Sequence, residues 1–337
     1  MKILLYSEGQ KLFGKSGVGK ALEHQKMALK SAGVDYTSDE NEDYDLAHIN
    51  TIGTRSSKVL KKTQKKGKPA IYHTHTTYED FKNSFVLSNL LAPLIKKRVR
   101  YLYSRADYLI SPSEYTKKLV ERYLVKTPAA VVSNGVDTKK FSPNGELAAS
   151  FREHFNIETP LVISVGLPFE RKGVVDFCDL ALKRPGWRFI WFGAKLTPLL
   201  PGRIKKLIQN PPANVSFPGF IEESLLLGAY SAADAFLFPS YEENEGIVVL
   251  EALAMKCPLI VRDIGVYKNW LISDHNCLKA NDNFGFIESA ERLMTRQTER
   301  EKIVSNGRKT AKKRDIRKVG TRLRAVYEQV LSSGETD

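Results

Sequence analysis

The chain has 337 residues, with 52 Lys and Arg against 38 Asp and Glu, a formal net charge of +14, 42% hydrophobic and 27% charged residues. That length and balance suit two globular α/β domains with separate cores, and exclude a disordered or low-complexity chain. No apolar run approaches the ~18 residues of a spanning helix, and Met1-Lys-Ile-Leu-Leu-Tyr-Ser7 reads as a strand rather than a signal peptide, so a cytoplasmic protein is expected.

In chain order, apolar strand-like runs alternate with helical stretches, the pattern of parallel sheets with crossover helices. Strands are expected at 2–7, 45–49, 70–73, 108–111 and 130–133, and again at 161–165, 188–192, 215–217, 235–238 and 259–261. The turn formers Asn134-Gly-Val-Asp137 and Phe141-Ser-Pro-Asn-Gly145 separate the two halves. A single long helical stretch is expected at about 299–331. Cys178, Cys257 and Cys277 lie far apart, in or beside apolar segments, and read as core thiols of a reducing compartment. Neither they nor the six histidines show a metal-ligand spacing, so no metal is expected.

Four segments carry chemistry. The loop Gly14-Lys-Ser-Gly-Val-Gly-Lys-Ala21 follows the first strand and opens a helix, where glycine lets the backbone approach a diphosphate and the helix start supplies amides. It nearly matches a nucleotide-triphosphatase loop, but Ala21 lacks the hydroxyl that would hold magnesium. Ile71-Tyr-His-Thr-His-Thr-Thr-Tyr-Glu-Asp80 ends a strand, and His73 or His75 there either meets a ligand or caps the strand. Ile163-Ser-Val-Gly-Leu-Pro-Phe-Glu-Arg-Lys-Gly173 ends another strand and sets Arg171 and Lys172 where they can meet a diphosphate.

The fourth segment is Pro239-Ser-Tyr-Glu-Glu-Asn-Glu-Gly-Ile-Val-Val-Leu-Glu-Ala-Leu-Ala254. It places Glu243 on a loop beyond a strand's carboxyl end and Glu251 about one turn into the next helix, with seven residues between them. Exposed amides are expected at Asn244, Glu245, Gly246 and Ile247. The triplet Asp43-Tyr-Asp45 precedes a strand and reads as a strand-entry turn rather than a metal site.

These segments together resemble the retaining glycosyltransferases of family 4, whose signature is a Glu, seven residues, then Glu. The resemblance implies a GT-B fold, α/β with two Rossmann-like domains facing across a cleft. The domains expected are 1–140 for acceptor and membrane binding and 141–315 for the nucleotide sugar, with 316–337 a helix crossing back to the first. By resemblance, Glu243 contacts the transferred sugar, Glu251 the nucleotide ribose, Gly17 the phosphates, and His73 lies near the transferred sugar and the acceptor. Arg171 and Lys172 stabilise the departing diphosphate in place of a metal. The family usually has an Arg directly after the glycine, whereas this chain has Leu167, which puts Arg171 in that contact or leaves it unmade. No cofactor is implied beyond the donor, UDP-galactose or UDP-glucose.

The acceptor is argued from charge. Arg55, Lys58, Lys61, Lys62, Lys65, Lys66 and Lys68 fall in fourteen residues without one acid, a run suited to an anionic surface. The segment 85–103 mixes bulky apolar residues with Lys96, Lys97, Arg98 and Arg100, and either lies in a membrane interface or packs in the core. Ser7-Glu-Gly, Lys15-Ser-Gly-Val-Gly-Lys20, His73-Thr-His-Thr-Thr-Tyr-Glu-Asp80 and Gly166-Leu-Pro-Phe-Glu-Arg-Lys-Gly173 look like the bacterial diglycosyldiacylglycerol synthases. That subgroup adds a second hexose to α-monoglucosyldiacylglycerol, a glycolipid that anchors lipoteichoic acid. It implies a glycolipid acceptor and a place on the inner face of the cell membrane, held through 55–68 and 85–103. The alternative is a family 4 enzyme acting on a polysaccharide or teichoic-acid precursor. A pI near 9.5 also suits nucleic acid, but no nucleic-acid motif accompanies it, so no specific nucleic-acid partner is expected.

Overall fold

The computed structural model describes residues 1–9 and 17–333, so Gly14, Lys15 and Ser16 of the first glycine loop lie outside the described residues. The elements in chain order are β1 (Lys2–Tyr6), α1 (Gly17–Ser31), β2 (Asp35–Thr37), β3 (Leu46–Ile49), α2 (Thr54–Lys65), β4 (Ala70–His73), α3 (Tyr78–Phe81), α4 (Ser88–Tyr103), β5 (Tyr108–Ser111), α5 (Glu114–Arg122) and β6 (Ala129–Val131). Then come α6 (Gly145–His154), β7 (Leu161–Val165), α7 (Val174–Leu182), β8 (Arg188–Phe192), α8 (Gly202–Gln209), β9 (Val215–Gly219), α9 (Glu223–Ala232), β10 (Ala235–Phe238) and α10 (Ile247–Ala254). The chain closes with β11 (Leu259–Arg262), β12 (Leu278–Ala280), α11 (Asn283–Thr295), α12 (Gln297–Lys313) and α13 (Ile316–Ser333).

The strands form two six-stranded parallel sheets, ordered β2-β1-β3-β4-β5-β6 and β12-β11-β10-β7-β8-β9. The chain divides accordingly. Unit 1 takes the described residues of Met1–Phe81, Asn89–Asp137 and the stretch from Arg314; unit 2 takes Lys82–Ser88 and Thr138–Lys313. A short excursion from the first half of the chain thus belongs to unit 2, where Arg171 N donates to Asn83 O at 3.1 Å.

Alternation along the strands of unit 1 builds two cores. Ile3, Leu5, Leu46 and Ile71 face Leu22, Ala28 and Leu29 of α1 and Val319, Leu323, Val326 and Tyr327 of α13. Their neighbours Leu4, Tyr6, Ala47, Ala70 and Tyr72 face Val59 and Leu60 of α2 and Val99, Leu102 and Tyr103 of α4. A parallel sheet covered on both faces has apolar residues in succession, which is why its strands read as continuous runs. In unit 2, Val162, Phe189, Trp191, Leu237 and Ile260 pack with Val174, Phe177 and Cys178 of α7. The thiols of Cys178 and Cys277 are both pushed up to about 12, chiefly by burial, so they are un-ionised core groups.

The expected helix at 299–331 is two helices. Arg314 and Asp315 interrupt it, because Val136 N donates to Arg314 O and Ile316 N to Val136 O, both at 3.0 Å. These bonds break the helical ladder and lay α13 on α1 within unit 1. The edge strands β2 and β12 were not expected. Each has three residues and offers too short an apolar run to stand out.

Candidate active site

In the second sheet the chain leaves β7 toward β8 and β9, then returns to β10 on the other side of β7. Ligands bind outside the carboxyl ends of the strands at such a reversal. The two loops flanking it carry Lys172 and Glu243, both expected from sequence as site residues, though not as partners of one another. After β7 the chain makes a single 3-10 turn, Glu170–Lys172, and after β10 it runs through 239–246 into α10. Glu243 Oε1 accepts from Lys172 Nζ at 2.5 Å and from Ser240 Oγ at 2.7 Å, with Arg171 Nη1 3.8 Å away.

The close approach of these loops explains Gly173. Its φ is +76°, and a Cβ there would stand 2.5 Å from the Pro239 carbonyl oxygen. Arg262, at the end of β11, fixes the same turn. Its Nε donates to Pro239 O at 3.0 Å, its Nη2 pairs with Asp176 at 3.2 Å, and its guanidinium lies 3.9 Å from the Tyr241 ring centre. Arg171 is buried and engaged within unit 2, donating to the Glu242 carbonyl at 2.7 Å and to Ser84 Oγ at 3.2 Å.

Glu251 is fully buried in α10, one turn from its start, and its Oε2 accepts from Tyr230 Oη at 3.0 Å. Burial pushes the Tyr230 phenol well above its usual value, and the Glu251 charge adds to the shift. Asn244, Gly246 and Ile247 are half-buried and Glu245 is buried, so the segment is less open than expected. The cover includes Tyr267, whose hydroxyl lies 2.9 Å from where a Cβ on Gly246 would stand. That hydroxyl is buried and has no hydrogen-bond partner among the described residues.

Unit 1 has its own reversal, between β1 and β3. His73, the last residue of β4, is buried there in a stack of rings. Its centroid lies 3.9 Å from that of His75 and 5.3 Å from that of His48 in β3. His73 Nδ1 is 3.0 Å from Gln25 Nε2 of α1 and 3.2 Å from His48 Nε2, and His48 Nδ1 is 2.7 Å from Tyr327 Oη of α13. Burial holds His48 and His75 down at about 3 and lowers His73 well below its usual value, with the neighbouring imidazoles adding to the effect at His73. All three are neutral at physiological pH. Gly17 is the first described residue of α1, exposed, with open space where a Cβ would point.

The structure thus brings Glu243, Lys172 and Arg171 together, joins Glu251 to Tyr230, and sets His73 in a separate network of unit 1. Sequence reading missed Ser240, Tyr230 and Tyr267 in unit 2 and Gln25, His48, Asn50 and Tyr327 in unit 1. Ser240 lay inside the quoted motif; the others meet their partners only through the fold.

The basic segments divide as well. On α2, Arg55, Lys58, Lys61 and Lys65 are exposed, while Lys62 donates to the Glu40 carbonyl at 3.1 Å and Lys68 pairs with Asp43 at 2.5 Å. On α4, Ala92, Val99, Leu102 and Tyr103 are buried, yet Leu90 is 72% and Leu94 60% exposed. Arg98 donates to the carbonyls of Ile52 and Gly53 at 2.9 and 2.7 Å. Lys97, Arg100, Tyr101, Ser104 and Arg105 line an open concavity of about 360 Å³. The core reading of 85–103 therefore holds for one face of the helix, while another face presents leucines to solvent. Among the described residues no helix is long and apolar enough to cross a membrane.

Two family models match the chain, "Glycosyltransferase Family 4" over 34–140 and "Glycosyl transferases group 1" over 148–310. The chain is 42% identical to a processive diacylglycerol alpha-glucosyltransferase of Acholeplasma laidlawii, over 98% of this chain and 99% of that protein. The chain belongs to the family 4, group 1 glycosyltransferases. This glycosyltransferase is also 26% identical to an alpha-galactosylglucosyldiacylglycerol synthase of Streptococcus pneumoniae, over 80% of its own length and 74% of that relative's. Anabaena Alr3699/HepE, solved in complex with UDP-glucose, superposes with a TM-score of 0.79 at 16% identity, covering 98% of this chain and 100% of that one. At that identity the likeness speaks to fold, and it assigns the glycosyltransferase to the GT-B type with two Rossmann-like units.

Proposed function

We propose that this glycosyltransferase moves a hexose, glucose in the first place, from its UDP-sugar to α-monoglucosyldiacylglycerol, with retention of configuration. The observation that carries the reading is the Lys172–Glu243 pair at the switch point of unit 2, on a chain 42% identical along its length to a diacylglycerol glucosyltransferase. Glu243 is the acceptor for hydroxyls of the transferred sugar, and Lys172 with Ser240 fixes its carboxylate. Glu251, oriented by Tyr230, takes the ribose hydroxyls. The amides of Asn244, Glu245, Gly246 and Ile247 face the diphosphate, and Gly17, at the start of α1, is the phosphate-facing glycine of unit 1.

As the bond from the anomeric carbon to the phosphate oxygen breaks, negative charge grows on the departing UDP. Lys172 stabilises that charge more than the ground state, and a fixed cation of this kind needs no reorganisation at the moment of reaction. The acceptor hydroxyl attacks the same face, and its proton passes to the leaving phosphate oxygen. Arg171 supports Lys172 through Glu243, since its guanidinium is held by Glu242 and Ser84.

The exposed leucines of α4 and the cations of α2 and α4 support binding at an anionic leaflet on the cytoplasmic side. Each Lys or Arg near such a surface contributes about 1 kcal/mol. Lipid-bound acceptor is then met at the membrane rather than extracted from it.

The test is to incubate purified protein with monoglucosyldiacylglycerol in anionic vesicles and EDTA, giving UDP-glucose and UDP-galactose separately, and to weigh the lipid product. A gain of one hexose is expected. Transfer only to soluble saccharides, with the lipid untouched, would assign the enzyme to polysaccharide or teichoic-acid precursors instead.

A further inference from the structure

We infer that Gln25 and Asn50, with His48 and Tyr327 behind them, hold His73 as a neutral imidazole with its proton on Nε2, so that it serves as a hydrogen-bond donor to a substrate hydroxyl and not as a base. The inference starts from two backbone carbonyls. Asn50 Nδ2 is directed at Tyr6 O and His48 O, at 3.4 and 3.5 Å, and carbonyl oxygens accept only. The other atom of that amide, Oδ1, therefore faces Gln25, 2.8 Å away, and the Gln25 atom meeting it must be the NH2 group. Turning either amide over would set oxygen against oxygen.

With Gln25 so oriented, the nearer ring nitrogen for its second hydrogen is His73 Nδ1 at 3.0 Å, against 3.3 Å for His75 Nε2, which is itself placed to donate to Asn50 Oδ1. His73 Nδ1 must then be the acceptor of a neutral ring, and the proton resides on Nε2. The opposite side of the ring accommodates that assignment. If His48 carried its proton on Nδ1, its bare Nε2 would face the bare Nδ1 of His73 at 3.2 Å. The stable arrangement has Tyr327 O–H donating to His48 Nδ1 and His48 Nε2–H donating to His73 Nδ1. Two donors thus converge on one nitrogen. His75 fits as well, its Nε2–H donating to Asn50 Oδ1 at 3.0 Å.

The network is complete except at two atoms. His73 Nε2 and Gln25 Oε1 are both buried without a hydrogen-bond partner among the described residues, although each residue is only 2% exposed. A buried polar group left unmatched costs about 1–3 kcal/mol. One donor and one acceptor are what a hydroxyl group supplies partners for, and sugar hydroxyls are the groups the proposed reaction brings. Gln25, Asn50, His48 and Tyr327 are positioning residues for His73; the C-terminal helix α13 reaches the site through Tyr327.

The assignment of a hydroxyl rests on the proposed function, but the proton's position does not, so the two fail separately. Full-length protein carrying 15N-histidine, with the His73 signals identified by their loss in His73→Gln, is measured near neutral pH by long-range proton–nitrogen correlation. The expected spectrum has a protonated Nε2 and a bare Nδ1 at His73. A proton on Nδ1, or a doubly protonated ring, overturns the inference from the wild-type protein alone. Gln25→Glu replaces the donor by an acceptor and is expected to draw the proton to Nδ1 and lower kcat about tenfold or more, with the KM for the lipid changed much less. Persistence of the Nε2 proton in that variant would show that Gln25 does not set the tautomer.

Discussion

The end of β4 in unit 1 and the loop after β10 in unit 2 both take polar side chains out of water beside a strand reversal, and they do so with different chemistry. Around His73 the groups are neutral, and orientation is everything: each amide and imidazole has one correct way to point. Around Glu243 the groups are charged, and pairing is everything, because a buried carboxylate needs a cation more than it needs a particular angle. The first kind of site is sensitive to where protons are; the second is sensitive to losing a partner.

The comparison is broken most severely at Glu243. Glu243→Ala is expected to lower turnover by about a thousandfold, the scale of removing a fixed electrostatic group. It also leaves Arg171 and Lys172 without their carboxylate, which lowers unfolding stability by about 3 kcal/mol. Steady-state turnover and denaturant unfolding report the two effects; near-normal turnover would take Glu243 out of the mechanism.

Acid sharpens the contrast from the other side. His48 and His75 have folded values near 3 against an ordinary 6.5, so the neutral form is favoured by folding. Their contribution is therefore complete above pH 6.5 and is lost as pH falls from there toward 3. Each costs about 1.4 kcal/mol per pH unit across that window. Unit 1 is expected to unfold at a higher pH than unit 2, whose two histidines, His154 and His275, are exposed. Acid titration followed by amide exchange distinguishes the units, and simultaneous loss of both would contradict this.

A smaller effect is expected at Tyr267. Tyr267→Phe removes a buried hydroxyl with no partner among the described residues. Stability should stay level or rise by about 1 kcal/mol, while the KM for the donor rises several-fold if the hydroxyl meets the diphosphate. A drop in stability with unchanged KM would make it structural. The smallest change is at the surface: Leu94→Ser should weaken binding to anionic vesicles about fivefold, the worth of roughly 1 kcal/mol, and leave the melting temperature in place. Vesicle sedimentation measures it, and unchanged binding would remove α4 from the membrane contact.

The central strands were legible because burial on both faces leaves continuous apolar runs, as in Leu161–Val165 and Ala235–Phe238. The edge strands β2 and β12 were not, since a short strand with one open side writes little into composition. Glu243 and Glu251 were legible as a spacing, and Lys172 as a basic residue after a strand. Their pairing was not, because 71 residues separate Lys172 from Glu243 and no local pattern spans that distance.

By itself the sequence determined the fold class, the family and the chemical types present at each loop, because these follow from local periodicity and from short motifs. Only the tertiary structure decided which carboxylate meets which cation, that α13 returns to α1 and brings Tyr327 behind His48, and that α4 hides one apolar face and exposes another. Those outcomes depend on contacts between residues far apart in the chain, whose energies exist only after the sheets have brought them within a few ångströms.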